Sequence, residues 1–311
     1  MGLKDLLSGA RSKPVQTAAP PAAPPSPVAP RPDPRDRGFV PGTWPVERLD
    51  VLEEVWGKGC LHPGAHEDLT NLMNVCALSS AKTMLDIGAG VGGASRAMVN
   101  KFGVWLVGLE RDETLVAEAN RRSLIEDLDK KAVFHACDYE TLAIKPSGYD
   151  AILCRYALSA TANKDGIYDQ FVEGLKPSGH LVIVDFVVGE ANGNEAVLKR
   201  LWECEVPKLQ PSRAGPIAAA LKKRNFLIHV AKDITDEVMP RIVAGWARFG
   251  QTLKPGVTPR LSAEIILHEA AKWEARVAAL QSGALRVYRF HATNSAEKKK
   301  GRVSTLSDWK Y

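Results

Sequence analysis

The sequence predicts an α/β protein: a seven-stranded, mostly parallel sheet with helices on both faces. Three observations predict it. Short, nearly continuous apolar runs alternate with longer segments of helical period through the middle of the chain. A glycine-rich turn, Asp86-Ile87-Gly88-Ala89-Gly90-Val91-Gly92-Gly93, joins the first of those runs to a helical segment. The composition, 45% hydrophobic and 25% charged over 311 residues, suits a chain that buries one sizeable core.

The first 43 residues stand outside this pattern. Residues 14–45 hold more than half of the 20 prolines, interleaved with alanine and arginine. Such a stretch buries too little apolar surface to offset its ordering entropy, so it is expected to be a disordered or polyproline-like arm, a linker or a site for a protein partner. Folding is expected from Trp44. Val46, Leu49, Leu52, Val55 and Trp56 follow helical spacing; Gly57 and Gly59 end that helix, and a second runs from Glu67 to Leu78.

Strands are then expected at Thr83–Ile87, Trp105–Leu109, Ala132–Cys137, Asp150–Cys154 and His180–Val188. Helices at Gly93–Phe102, Asp112–Leu128 and Lys164–Leu175 lie between them. Apolar runs without polar alternation belong to strands covered on both faces, which is the parallel arrangement. The later chain reads as helices at Glu195–Val206 and Pro216–Arg224, a strand at Phe226–Val230, helices at Glu237–Phe249 and Ser262–Leu280, and a last strand at Ala284–Thr293. Residues 295–311, with Lys298-Lys299-Lys300, form a basic tail.

Composition also excludes. A net charge of +5 over this length points to no nucleic-acid partner. No run of eighteen apolar residues occurs, so no membrane span is expected, and Met1-Gly2-Leu3-Lys4-Asp5-Leu6-Leu7 is too short and too charged for a secretory core. The 5 cysteines are scattered without a Cys-x-x-Cys pair, so neither a disulfide framework nor a metal site is expected. These readings place the protein in the cytoplasm.

Chemistry concentrates at the glycine turn. Gly88-x-Gly90-x-x-Gly93 satisfies a dinucleotide fingerprint, and Glu110 stands near the spacing of an acid that binds a ribose. Asp86, two residues before the first glycine, distinguishes between cofactors. A carboxylate there would repel a pyrophosphate, whereas it suits the cationic methionine end of S-adenosylmethionine (SAM). The turn also follows two helices instead of opening the fold, unlike simple NAD domains.

With these residues in view, the chain resembles a class I SAM-dependent methyltransferase, a Rossmann-like fold, from Trp44 to Asn294. Within that class it is most similar to the ubiquinone/menaquinone-biosynthesis and phosphoethanolamine methyltransferase types. Five stretches carry the likeness: Leu85 to Gly93, Val107-Gly108-Leu109-Glu110, Ala136-Cys137-Asp138-Tyr139, Tyr149 to Arg155, and Leu175-Lys176-Pro177-Ser178-Gly179-His180-Leu181. The resemblance implies that Gly88 and Gly90 let the methionine moiety lie close and that Asp86 orients its amino group. It implies that Glu110 accepts from both ribose hydroxyls, that Asp138 binds the adenine amino group, and that Arg111 and Tyr139 line the ring. Arg155 would face the mouth of the site, and the stretch from Trp56 to Gly64 would cover the cofactor.

The acceptor is less legible. The phosphoethanolamine enzymes place a histidine just after the fourth strand, where this chain reads Arg155-Tyr156-Ala157-Leu158-Ser159-Ala160-Thr161. The departure counts against phosphoethanolamine itself. His62 in the covering loop is the alternative base, with Tyr156 and Ser159 as acceptor contacts. No Asn-Pro-Pro-Tyr-like motif or Pro-Cys nucleophile is present, which leaves a small molecule, a lipid precursor or a protein side chain. Two further readings remain: a SAM-binding scaffold that acts through its proline-rich arm, and an NAD-dependent oxidoreductase.

Overall fold

A computed structural model describes residues 39–64, 66–190, 195–205, 207–253 and 261–295. Most of the proline-rich arm and the lysine-bearing tail lie outside these residues. Among those described, seven strands form one sheet in the order β3-β2-β1-β4-β5-β7-β6. The strands are β1 (Thr83–Ile87), β2 (Trp105–Glu110), β3 (Ala132–Ala136), β4 (Tyr149–Arg155), β5 (Leu175–Val188), β6 (Phe226–Asp233) and β7 (Leu285–Asn294). The first five pair in parallel, and β7 runs antiparallel to both β5 and β6. This is the expected α/β architecture of the class I methyltransferase fold.

The helices are α1 (Val46–Trp56), α2 (His66–Leu72), α3 (Gly93–Phe102), α4 (Glu113–Ile125), α5 (Lys164–Gly174), α6 (Glu195–Cys204), α7 (Ala214–Lys223), α8 (Thr235–Thr252) and α9 (Ala263–Gln281). Local chemistry sets several starts. The Asp112 side chain accepts from the amides of Thr114 and Leu115 to cap α4, and Asn163 accepts from Gly166 to cap α5.

Both sheet faces are covered, which is why the central strands read as unbroken apolar runs. On one face, Ile167 and Phe171 of α5 and Ile217 and Leu221 of α7 pack on Ile87, Ile152 and Ile183. On the other, Met98 and Val99 of α3 join Met73 over Met84, Leu153 and Val182. A third cluster gathers α1, α8 and α9 above the carboxyl end of β5 and the amino end of β7, with Trp246, Phe249 and Trp273 over Val184, Phe186 and Val287.

Three expectations needed revision. The helix read as Glu67–Leu78 stops at Leu72 and tightens into a 3-10 turn at Met73–Cys76, closed by Ala77 at φ 47°. Three-residue periodicity stacks Met73 and Cys76 on one side, and both are fully buried. The fifth strand, expected from His180 after a helix ending at Leu175, starts at Leu175 itself: Leu175 pairs with Tyr149, and after an irregularity His180 pairs with Ala151. Folding also begins earlier than Trp44, since the Phe39 amide donates to Glu264 Oε2 and its ring packs edge-on to His268.

In the sheet order, β1 lies between β2 and β4, so the strand sequence reverses beside it. Ligands of open α/β sheets bind outside the carboxyl ends of strands at such a reversal.

Candidate active site

A cavity of about 550 Å³ opens at that reversal. Its floor is the glycine turn. Gly88 and Ala89 both donate their amides to Leu109 O, which binds the turn to the end of β2. Gly88 has φ +83°, and a Cβ there would stand 2.2 Å from Arg155 O, so only glycine fits between β1 and β4. The covering loop after α1 rests on the same turn: a Cβ on Gly93 would meet Gly59 O at 2.3 Å, and one on Gly90 would meet Leu61 at 3.0 Å.

Two carboxylates stand beside the glycine turn. Asp86, fully buried at the end of β1, accepts from Ser95 Oγ at 2.6 Å and from Arg155 Nη2 at 3.3 Å, both on Oδ2. Its Oδ1 is buried without a partner. Glu110, at the end of β2, accepts from the amides of Gly90 (3.0 Å), Arg111 (2.8 Å) and Asp112 (3.3 Å). Burial raises its pKa, and those three amides pull it the other way.

The remaining expected cofactor contacts divide. Arg111 lines the cavity with its guanidinium 5.0 Å from the Tyr139 ring, anchored by donation to Ala160 O at 2.8 Å. Tyr139 is buried and also lines the wall. Asp138 stands apart: it is exposed, is not part of the lining, and its Oδ1 accepts from the Glu140 amide to cap a 3-10 turn.

Past Arg155 the cavity turns toward α9. His62 of the covering loop lies 4.5 Å, centroid to centroid, from Tyr156, which in turn lies 5.0 Å from Phe186. Tyr156 holds φ 51°, a costly conformation for a tyrosine and one that concentrates at functional sites. Burial pushes its phenol up to about 12. Burial also holds His62 well below the usual histidine range, helped by the positive charges of Arg276, Arg155, Lys272 and Arg48. Its Nδ1 is buried without a partner. His62 and Tyr156, distant in sequence, therefore meet, but the surroundings oppose a protonated His62.

The far wall holds charges that no sequence motif announced. Glu205 takes Arg276 through two hydrogen bonds, the Nη2–Oε2 contact being 2.9 Å. Arg48 donates to Glu269 Oε1 at 2.8 Å, and Lys272 stands 3.6 Å from Oε2 of the same residue. Trp44 covers the Arg48 guanidinium at 3.9 Å, while Trp56 and Trp246 belong to the core. One signal was available: Glu269, Lys272 and Arg276 fall on the buried stripe of α9 with Ile265, Ile266 and Trp273.

Of the buried side-chain polar atoms left without a partner among the described residues, four belong to lining residues: His62 Nδ1, Arg155 Nε, Ser159 Oγ and Arg289 Nε. Native interiors rarely leave such atoms unmet, and their gathering on one cavity marks it as a ligand site.

The chain is 23% identical over 235 residues to phosphoethanolamine N-methyltransferase 2 of Caenorhabditis elegans, covering 75% of this chain and 47% of that one. It is 26% identical over 198 residues to the phosphoethanolamine N-methyltransferase of Plasmodium falciparum, covering 61% of this chain and 70% of that one. The chain thus spans about half the length of the first relative. The fold superposes on Haemonchus contortus phosphoethanolamine N-methyltransferase 2, solved with S-adenosyl-L-methionine, with a TM-score of 0.72 at 20% identity, over 80% of this chain and 57% of that one. A family model for the methyltransferase domain matches residues 78–233, from just before β1 through β6. With the glycine turn and Glu110 both inside that match, the chain belongs to the methyltransferase-domain family.

Proposed function

We propose that this protein transfers the methyl group of SAM to a small-molecule or lipid-precursor acceptor. The observation that carries the reading is Glu110, a buried carboxylate clamped by three backbone amides beside a glycine turn, in a chain of the methyltransferase family. A carboxylate has lone pairs enough to accept from two neighbouring ribose hydroxyls while keeping those amides.

The other residues suit the same cofactor. Asp86 Oδ1 supplies a buried acceptor for an ammonium group. Gly88 and Gly90 leave backbone without side chains at the turn, and Arg111 and Tyr139 flank the adenine. Bound SAM supplies a methyl on a positively charged sulfur, already activated for in-line displacement.

Little further chemistry is asked of the protein. Arg155 neutralises Asp86 from the acceptor side. His62, neutral, accepts a hydrogen bond from the N–H or O–H of the acceptor and so aims its lone pair. Tyr156, protonated, packs against that imidazole and donates from its phenol. The cations around His62 make it a poor store for a proton, so the pair aligns the acceptor and the proton leaves to water. Residues 39–294 are assigned to the catalytic domain, the proline-rich residues before them to a linker or partner-binding arm, and residues 295–311 to a basic tail. No helix of the described residues is long and apolar enough to cross a membrane.

Calorimetry with SAM, S-adenosylhomocysteine and NAD tests the cofactor. Binding of the first two and not NAD is expected; NAD binding alone would sink the reading. Incubation with metabolite extracts and candidate proteins should yield S-adenosylhomocysteine, and Glu110→Ala should abolish it. Tight SAM binding without turnover on any of them would favour a regulatory scaffold.

A further inference from the structure

The loop that covers the glycine turn leaves α1 at Gly57 and lines the cavity with Gly59, Cys60, Leu61 and His62. One α1 side chain reaches forward to hold it. Glu53, in the last turn of α1, accepts from the Gly59 amide on Oε1 at 2.7 Å, and its backbone carbonyl accepts from the Gly57 amide at 2.8 Å. The same Oε1 accepts from Arg122 Nη1 of α4, the helix that starts just after Glu110. Arg122 is fixed in turn by donating through Nε to Glu118 Oε1 at 2.6 Å, one turn earlier on α4.

Gly59 is the point at which this tie acts. A Cβ there would stand 3.1 Å from Gly93 Cα, so the loop backbone lies directly on the start of α3. Other bonds join the loop to itself and to α2: the Cys60 amide donates to Gly57 O at 3.0 Å, and His66 Nε2 donates to Lys58 O at 2.9 Å. The Glu53 carboxylate instead links it to α4. Glu53 and Arg122 are only 17% and 15% exposed, so salt screens their pairing weakly. Neither residue lines the cavity.

Resting on the methyltransferase reading, we infer that Glu53 is a positioning residue: backed by Arg122, it holds the covering loop down over bound SAM and so sets how long the cofactor stays. A ligand under such a cover leaves only when the cover moves. Lifting this loop breaks the bond from the Gly59 amide to a charged acceptor, which is stronger than a neutral one. Arg122 keeps that acceptor aimed, since a free glutamate side chain would spread over several rotamers. Removing the Glu53 carboxylate leaves Arg122 still bonded to Glu118, so no cation is stranded and the loss falls on the loop and not on the fold.

The test uses the full chain and reads the loop and the ligand separately. Hydrogen exchange without ligand follows the Gly59 and Cys60 amides, and stopped-flow displacement follows dissociation of S-adenosylhomocysteine. In Glu53→Ala the Gly59 amide should exchange about tenfold faster. S-adenosylhomocysteine should also leave about tenfold faster, with its association rate changed by less than about threefold. Glu53→Gln, which keeps an acceptor and loses the charge, should fall between the parent chain and Glu53→Ala. Arg122→Met should move both rates in the same direction by less, and Glu54→Ala, on the exposed side of α1, should match the parent chain. All variants are compared below the onset of thermal unfolding, so that lost stability alone leaves the dissociation rate unchanged. Unchanged exchange at Gly59 in Glu53→Ala overturns the inference. Faster exchange with unchanged dissociation reduces Glu53 to a structural tie and overturns its positioning role. Failure of the parent chain to bind S-adenosylhomocysteine overturns the cofactor reading instead, while the exchange result still decides whether Glu53 holds the loop.

Discussion

The Gly90 amide donates to Glu110 Oε2 at 3.0 Å, so the turn that ends β1 and the acid that ends β2 act as one unit. Replacing the acid removes the proposed ribose contacts and also releases the turn. Two hydrogen bonds to a charged acceptor contribute about 1.5–3 kcal/mol each. Glu110→Ala should therefore weaken SAM binding by about a hundredfold or more, with Glu110→Gln intermediate. Calorimetry on folded protein decides; unchanged affinity in Glu110→Ala would remove Glu110 from the cofactor site.

Gly88 and Gly57 make a matched pair. Both hold positive φ, +83° and +99°, but a Cβ on Gly88 would overlap Arg155 O, while one on Gly57 meets nothing within 4 Å. Alanine at Gly57 should cost only the backbone strain, about 1–3 kcal/mol. Alanine at Gly88 should cost distinctly more and lose SAM binding as well. Thermal denaturation of the two variants would expose a clash of no consequence if their melting temperatures fell equally.

The buried Arg276–Glu205 pair predicts non-additive substitutions. Arg276→Met strands a buried carboxylate and should destabilise by about 3–5 kcal/mol. Adding Glu205→Gln removes the stranded charge and should restore part of that loss. Additive losses in chemical denaturation would show that the two residues are not coupled.

Asp185 gives a pH dependence with a definite sign. Fully buried, its carboxyl is pushed from 3.8 up to about 6 by desolvation, with the Ser159 and Phe186 amides opposing. A raised folded-state pKa contributes stability that is complete below about pH 4 and lost as pH rises through about 6. The shift corresponds to about 3 kcal/mol. Between pH 4 and 7, the stability difference between the parent chain and Asp185→Asn should move toward the variant by up to that amount. Movement the other way would mean that Asp185 is stabilised as the anion.

His62 should remain neutral well below the usual histidine midpoint, because burial and four cations oppose its charge. Nitrogen chemical shifts of its imidazole, followed from pH 8 to 5, report this directly. A midpoint near 6.5 would return His62 to the role of general base.

How far the sequence could be read followed from how local each determinant was. Strands β1, β2 and β4 were legible because burial on both faces makes them continuous apolar runs, as at Met84-Leu85 and Ile152-Leu153. Asp86, Gly88 and Glu110 were legible because the turn and the neighbouring strand lie within one βαβ unit. The 3-10 ending at Met73–Cys76 was not, since its cause is burial against the sheet and not propensity. Nor was the place of Asp138, whose local cap to Glu140 turns it toward solvent.

By itself, the sequence determined the sheet and the glycine-turn end of the cavity, because periodicity and one tight turn act over short stretches of chain. Only the tertiary structure decided the acceptor end. Arg48, Glu205, Glu269, Arg276 and Arg289 come from α1, the loop after α6, α9 and β7, and no pattern along the chain relates them. Whether a charge among them is spent on a neighbour or left for a ligand depends on distances of a few ångströms in a desolvated wall, where one missing partner changes the charge balance of the site.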